Sequence, residues 1–119
     1  LEMVESRSGI QAELNVVGEP DLPEDIETQL YWVLYEALSN VLKHARANNV
    51  SLNFDFSEKR SVIILQDDGI GFDSTRLKYA QGGGLRNLID RVESIGGTIE
   101  VKSARGEGTF IRIVLEKSD

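Results

Sequence analysis

The chain has 119 residues, a formal net charge of −7 and no cysteine, a combination that fits one domain with a single hydrophobic core in a reducing compartment. The acidic balance disfavours a broad electrostatic surface for nucleic acid or anionic lipid, so any phosphate binding must be local. Without cysteine the chain has no disulfide and no thiolate site, and its one histidine, His44, excludes a multi-histidine metal site.

The apolar residues change their spacing along the first half of the chain. Residues 10–16 alternate between apolar and polar, which predicts a half-buried strand that ends at Gly18-Glu19-Pro20. From Pro23 onwards the apolar residues recur at spacings of three and four, which predicts an amphipathic helix. These residues are Leu30, Val33, Leu34, Ala37, Leu38, Val41, Leu42 and Ala45. Acidic residues near Pro23 suit the start of this helix.

The second half predicts two pairs of strands separated by a helix. Residues 50–54 and 61–66 have the pattern of a hairpin, and residues 69–84 hold five of the eleven glycines, which is typical of a loop of some mobility. A second helix is predicted from Leu85 to Ile95, closed by Gly96-Gly97. Two strands follow, around residues 99–101 and 110–115. The predicted order is strand, helix, two strands, helix, two strands.

Four polar residues share one side of the first predicted helix, beside its apolar stripe: Glu36, Asn40, Lys43 and His44. An Asn carbonyl oxygen together with ligand phosphates would suit Mg²⁺, which prefers oxygen ligands and keeps several waters. Glu36, one turn earlier, could orient or deprotonate a nucleophile or a metal-bound water. The alternative is a solvated helix face on which the Lys-His pair favours the helix end.

The segment from Asp67 to Gly71 reads Asp-Asp-Gly-Ile-Gly and follows a predicted strand. An ionised carboxylate only accepts hydrogen bonds, so Asp67 would suit the exocyclic amine of adenine and reject the guanine carbonyl. Gly69 and Gly71 have no Cβ atom that would keep the backbone away from a flat ring. The alternative for this segment is a plain turn.

Two further glycine-rich segments could contact a ligand. Gly82-Gly83-Gly84 leads into the second predicted helix, so the free N–H groups at its start, including those of Gly84 and Leu85, could bind phosphate oxygens. The segment from Gly106 to Thr109 precedes the last strand, and the Thr109 hydroxyl could bond the base side of a pocket. The alternatives are a flexible loop and an ordinary hairpin.

The order and spacing of these four segments resemble the ATP-binding domain shared by sensor histidine kinases, gyrase, Hsp90 and MutL. Residues 36–45 resemble the N box, residues 67–71 the G1 box, residues 82–85 the G2 box and residues 106–109 the final Gly-Thr element. The resemblance implies an α/β two-layer sandwich of the Bergerat type, a mixed sheet of about five strands covered on one face by helices.

The resemblance also implies ATP and Mg²⁺ as cofactors and a role for each site residue. Asn40 would ligate Mg²⁺, and Glu36 would assist phosphoryl transfer. Lys43 and His44 would contact phosphates, and Asp67 would bind the adenine amine. The remaining nucleotide contacts would come from Gly69, Gly71, Gly82, Gly84, Leu85 and Thr109.

Within that superfamily the chain resembles sensor kinases that signal to NarL-type response regulators, because its N box ends in Lys-His-Ala and its lid after Phe72 is short. We therefore interpret residues 1–119 as a single catalytic domain of a longer, homodimeric kinase whose phosphoacceptor histidine lies on a separate dimerisation domain. We expect a cytoplasmic domain without nucleic acid or direct membrane contact, although the parent kinase could be membrane-anchored. We do not expect the fragment to complete autophosphorylation alone.

Two other functions fit the same motifs. One is an anti-sigma-factor kinase of the same fold, which phosphorylates a Ser or Thr of a partner. The other is a degenerate nucleotide-binding module that serves as a protein interaction surface. The chain also departs from the family pattern at Gly83, where members often carry a larger residue, and at Asn87, where they often carry glycine.

Overall fold

A computed structural model describes the backbone of residues 2–5, 11–44, 48–70, 84–104 and 106–116, and the side chains of residues 11–39, 48–70, 87–104 and 106–116. These residues form six strands and two helices. The elements are β1 (Glu2–Glu5), β2 (Gln11–Val17), α1 (Glu24–His44), β3 (Asn49–Phe56), β4 (Arg60–Asp67), α2 (Gly84–Ser94), β5 (Thr98–Ser103) and β6 (Thr109–Glu116). The predicted order of elements is confirmed from β2 to β6.

The strands form one mixed sheet in the order β1-β2-β3-β4-β6-β5. β2 and β3 run parallel, and every other neighbouring pair is antiparallel. Two parallel strands need a crossover connection, which α1 provides. The strand missing from the sequence prediction is β1, which pairs with β2 at the edge of the sheet. The prediction of about five strands therefore holds for β2 to β6, with β1 added.

Both helices pack on the same face of the sheet. The buried core consists of Leu30, Val33 and Ala37 of α1, Leu88 and Val92 of α2, and the strand residues Val50, Ile63, Leu65, Ile111, Ile113 and Leu115. This arrangement confirms the two-layer sandwich. Neither of the two helices described is long and apolar enough to cross a membrane.

The ends of the helices follow from local hydrogen bonding. α1 begins at Glu24, one residue later than predicted, and the carbonyl of Pro23 accepts the N–H of Glu27 at 2.9 Å. α2 ends in a Schellman motif: Gly96 has a φ of 80°, and the N–H groups of Gly96 and Gly97 donate to the carbonyls of Glu93 and Val92. The predicted glycine stop is therefore confirmed. Residues 71–83 of the predicted glycine-rich loop lie outside the described part of the chain.

Alternation along β4 decides which way its side chains point. Ser61, Ile63, Leu65 and Asp67 are buried, whereas the residues between them are more exposed. Successive side chains of a strand point to opposite faces, so Asp67 continues the row that faces the helices. β4 ends at this residue, which places a carboxylate at the edge of the core.

Candidate functional site

Asp67 is the buried carboxylate at the end of β4, a central strand of the sheet. Its residue is 6% exposed, and its Oδ1 accepts a hydrogen bond from the N–H of Gly69 at 2.8 Å. In the sheet Asp67 lies between Val50 of β3 and Thr109 of β6. Two residues directly opposite each other on antiparallel strands share a face of the sheet, so the structure brings Asp67, Gly69 and Thr109 together.

The surroundings of Asp67 disfavour the ionised form of its carboxyl group. Burial raises the pKa of this carboxyl above its ordinary value, and the neighbouring charge of Asp68 adds to the rise. Hydrogen bonds from the backbone N–H groups of Gly69 and Thr109 act in the opposite direction but are outweighed by burial. An ionised carboxylate with limited access to water is a strong acceptor for a ligand donor.

The adjacent acid, Asp68, has a different environment. Its carboxylate accepts hydrogen bonds from the N–H groups of Asn48 and Asn49, both at 2.8 Å, and from the Asn49 side chain at 2.9 Å. These bonds hold the pKa of Asp68 below its ordinary value. The Asp68 N–H returns a bond to the Asn49 carbonyl at 3.2 Å. Asp68 therefore fastens the turn after β4 to the start of β3, a role that the sequence did not predict.

The opposite pKa shifts of the two acids predict opposite effects of pH on stability. Because the folded pKa of Asp68 is lowered, its contribution is present above the unfolded pKa and is lost as pH falls through the folded value. The contribution of Asp67, whose pKa is raised, is present below the unfolded pKa and is lost as pH rises through the folded value. We expect Asp68→Asn to lower the unfolding temperature at about pH 7 and to have a smaller effect at about pH 3. Thermal unfolding of Asp68→Asn and of the unchanged domain at both pH values measures this difference, and a larger effect at the acidic pH would contradict it.

The turn between β5 and β6 lies against the turn that follows Asp67. The N–H of Gly106 donates to the carbonyl of Ile70 at 2.6 Å, which joins this turn to the turn after β4. Gly108 has a φ of 77°, and a Cβ atom there would overlap the carbonyl oxygen of Asp67. Only glycine fits this close approach. The two glycine segments that the sequence singled out are therefore in direct contact around Asp67.

Two hydroxyl groups extend this cluster towards the outer strand β5. Ser103 Oγ donates to the carbonyl of Gly108 at 2.7 Å and lies 3.1 Å from Thr109 Oγ1. Ser103 and Thr109 are direct partners in the pairing of β5 with β6. Ser103 was not predicted from the sequence, because its neighbour across the sheet is defined by strand register and not by spacing along the chain.

Glu36 lies on α1 with its side chain 29% exposed, and its Oε2 is 3.9 Å from Nε of Arg91 on α2. Arg91 is 47% exposed, so this pair adds little stability. It nevertheless places a cation next to the carboxylate that was predicted to assist phosphoryl transfer. Arg91 was not predicted from the sequence, because its contact with Glu36 depends on the packing of the two helices.

The remaining predicted residues are placed only by their backbone or not at all. Asn40, Lys43 and His44 lie on the last two turns of α1, and Gly84 and Leu85 are the first residues of α2. Their side chains are outside the description, as are the residues Gly71 and Gly82. Among the side chains that are described, no group of three or more His, Cys, Asp or Glu residues could hold a metal ion.

The topology directs several elements towards the end of the strands that carries Asp67. α1 ends four residues before Asn48, whose N–H bonds Asp68. α2 ends at Ser94, just before β5 starts at Thr98, and Thr98 pairs with Val114 at the opposite end of the strands. The end of β4 and the β5–β6 turn are in direct contact at Asp67.

A groove of about 180 Å³ lies beside the ends of β2, β3 and β4. Its walls include Gln11, Glu13, Ser51 and Gln66, which alternate with the core-facing residues of their strands. Asp67 and Asp68 also line it, so the groove adjoins the end of β4.

Comparison with known proteins identifies the family. The sequence model described as histidine kinase-, DNA gyrase B-, and HSP90-like ATPase matches residues 25–119, from the first turn of α1 to the end of the chain. The chain belongs to this ATPase family. The resemblance seen in the motifs is thus confirmed at the level of the family.

Relatives in this ATPase family include two signalling proteins. The chain is 30% identical over 110 residues to the signal transduction histidine-protein kinase/phosphatase DegS of Brevibacillus brevis, a match that covers 92% of this chain and 28% of DegS. It is 32% identical over 93 residues to the sensor protein VraS of Staphylococcus epidermidis, covering 78% of this chain and 26% of VraS. The chain spans about a quarter of the length of these relatives.

A solved structure shows the same fold. The histidine kinase AdeS of Acinetobacter baumannii superposes with a TM-score of 0.76 at 17% identity, over 91% of this chain and 54% of the AdeS chain. At this identity the comparison supports the fold alone. It agrees with the mixed sheet and the single helical layer described above.

Proposed function

We propose that this ATPase-family domain binds ATP with Mg²⁺ and supplies the γ-phosphoryl group for phosphorylation of a histidine on a separate dimerisation domain. The observation that carries the proposal is the position of Asp67. Its carboxylate is buried at the edge of the core, is fixed through Gly69 and lies opposite Thr109. An acceptor at such a place suits the exocyclic amine of adenine.

The glycine at position 69 supports the base-binding role. Gly69 is buried, and its N–H holds Asp67 Oδ1 at 2.8 Å. Gly108 packs against the Asp67 carbonyl, where a side chain would not fit. The base site therefore consists of a fixed acceptor bordered by backbone without side chains, an arrangement that lets a flat ring approach closely.

The phosphate end of the site comes from α1 and from the first turn of α2. Asn40 would hold Mg²⁺ together with phosphate oxygens, and Lys43 and His44 would contact the phosphates. The free N–H groups at the start of α2, near Gly84 and Leu85, suit an anion. Bound Mg²⁺ neutralises phosphate charge and positions the transferred group. Glu36, one turn before Asn40, would assist the transfer.

The identity of the relatives supports a place in two-component signalling. DegS is a histidine-protein kinase/phosphatase and VraS is a sensor protein, which favours a sensor kinase over an anti-sigma-factor kinase as the parent. We propose a homodimeric parent with a phosphoacceptor histidine domain and a response regulator of the NarL type as partners. The domain would lie in the cytoplasm and act only together with the dimerisation domain.

Binding of ATP by the 119-residue domain tests the proposal directly. Thermal unfolding is measured with and without ATP in millimolar Mg²⁺, and affinity by isothermal titration calorimetry. At a free ATP concentration of about a hundred times the dissociation constant, linkage adds roughly 2.7 kcal/mol to the free energy of unfolding. If neither ATP nor ADP binds, the degenerate interaction module becomes the better description.

Asn40→Ala tests the proposed metal ligand. We expect this variant to lose the part of the ATP affinity that depends on Mg²⁺ and to keep the part measured with a chelator present, because the base contacts remain. Asn53→Ala is the matched control, since Asn53 lies on β3 and pairs with Asn15 on the face away from the helices. Equal losses of affinity with and without Mg²⁺ in Asn40→Ala would contradict the metal role.

A further inference from the structure

Three aromatic side chains are exposed on the outer face of α1, opposite the core residues Val33 and Ala37. Tyr31 is 61% exposed, Trp32 48% and Tyr35 58%. Tyr31 and Tyr35 lie one helical turn apart and Trp32 follows Tyr31, so the three rings form one surface, the aromatic patch. Large apolar side chains that lie together on a surface mark interaction sites, whereas single exposed ones are ordinary.

The rings of the aromatic patch hold each other in place. The Trp32 ring packs edge to face against Tyr31, with ring centroids 5.4 Å apart, and against Tyr35 at 5.9 Å. Such ring pairs are stabilised beyond the area that they bury. Side chains that are already ordered lose less conformational entropy when a partner binds. The patch is therefore preformed, and Trp and Tyr are the residue types that contribute most at protein interfaces.

The sequence around the aromatic patch is acidic. Residues 19–36 hold six Asp or Glu residues and no Lys or Arg. Glu36, on the C-terminal side of the patch, is paired with Arg91 of α2. Glu24 and Asp25 are exposed at the start of α1, and each lies two helical turns before a ring of the patch, on the same side of the helix. The patch is therefore bordered by negative charge on its N-terminal side.

This negative charge decides which class of partner fits. An anionic membrane, a nucleic acid and a second copy of the same surface would each bring further negative charge and be repelled. A partner that carries Lys or Arg is attracted, and its cations are also stabilised over the faces of Trp and Tyr rings. From Glu24 to Tyr35 the surface runs along α1 for about 17 Å, roughly three helical turns. The side of a second helix fits such a row.

We propose that the outer face of α1, from Glu24 to Tyr35, docks a basic amphipathic helix of a partner protein. The apolar side of that helix packs on the aromatic patch, and its Lys or Arg residues contact Glu24 and Asp25. The surface lies on the opposite side of α1 from the core and does not include Asp67. The inference therefore goes beyond nucleotide binding and does not depend on it.

The fluorescence of Trp32 tests the inference, because it is the only tryptophan of the chain. The probe is a synthetic helix of about 18 residues, five turns, with Leu along one side, Arg flanking it and no aromatic residue. Titration into the 119-residue domain should give a saturable shift of the Trp32 emission to shorter wavelength and protection from quenching by acrylamide. A matched peptide with Glu in place of each Arg should leave the emission unchanged.

A double variant, Tyr31→Ala with Tyr35→Ala, separates recognition of the patch from general attraction to an acidic domain. It removes two exposed rings and keeps the negative charges. We expect the affinity for the Arg peptide, measured by fluorescence anisotropy of a labelled peptide, to fall about tenfold or more, as for aromatic residues at the centre of an interface. Val17→Ala is the matched control, because Val17 is exposed on β2 and should not affect the affinity. Thermal unfolding shows that each variant is folded.

The remaining outcomes overturn the inference. They are absence of binding of the Arg peptide, equal binding of the Arg and Glu peptides, and unchanged affinity in the double tyrosine variant. A shift of the Trp32 emission on vesicles of phosphatidylcholine and phosphatidylserine would assign the surface to a membrane instead. A dimer in sedimentation velocity that Trp32→Arg abolishes would assign it to a second copy of the chain.

Discussion

Asp67→Asn is expected to lower the affinity of the domain for ATP by about a hundredfold, since a charge-assisted hydrogen bond contributes roughly 1.5–3 kcal/mol. The amide keeps the shape of the carboxylate and an oxygen that can accept the Gly69 N–H. Its NH₂ group, however, would face the adenine amine as a second donor. Titration calorimetry with ATP and Mg²⁺ measures the loss.

The same variant should remain folded, which separates loss of binding from loss of structure. Burial raises the pKa of Asp67, so its negative charge costs folding free energy at neutral pH and a neutral amide removes that cost. We expect an unfolding temperature equal to or above that of the unchanged domain. Asp55→Asn is the matched control, because Asp55 is exposed and lies towards the other end of β3 from Val50, the partner of Asp67. Unchanged ATP affinity in Asp67→Asn would remove the adenine assignment.

Gly108→Ala should destabilise the domain strongly. The residue has a φ of 77°, and its new Cβ would overlap the carbonyl oxygen of Asp67. Backbone strain and displacement of the end of β4 together should cost about 3 kcal/mol or more of the free energy of unfolding. Urea unfolding measures this loss. The fraction that remains folded should bind ATP more weakly, because Asp67 has moved.

Two other glycines provide controls for this variant. Gly96 has a φ of 80° and open space at the Cβ position, so Gly96→Ala carries the strain without the overlap and should cost about 1–2 kcal/mol. Gly18 has a φ of 82°, and a Cβ there would overlap the Phe56 carbonyl, far from Asp67. Gly18→Ala should destabilise the fold without changing the ATP affinity of the folded fraction. Similar losses of affinity in Gly18→Ala and Gly108→Ala would contradict a specific link to Asp67.

The fold was largely predictable because its elements carry recognisable apolar patterns. The stripe on α1 indicated both the type of element and the face that is buried, and the structure confirms it for Leu30, Val33 and Ala37. β1 was missed because it is only four residues long, with two acidic and two apolar residues, and becomes a strand only by pairing with β2. A short edge strand carries too little pattern to be recognised alone.

The site was only partly predictable. Asp67 could be selected because a carboxylate directly after a buried strand emerges at the edge of a sheet. Other contacts of the site depend on strand register and helix packing, which spacing along the chain does not contain. They are the contacts of Asp68 with Asn48 and Asn49, the Ser103–Thr109 pair and the Glu36–Arg91 pair. The roles of Asn40, Lys43 and His44 stay predictions.

The turn after β4 is fastened at both of its ends. Asp68 ties it to the start of β3, and the carbonyl of Ile70 accepts the N–H of Gly106 from the β5–β6 turn. A base that binds there does not need to order this part of the backbone, so little conformational entropy is lost on binding. For a base that donates its amine to Asp67, we therefore expect recognition to be largely independent of the phosphates, so that adenosine alone already binds the domain.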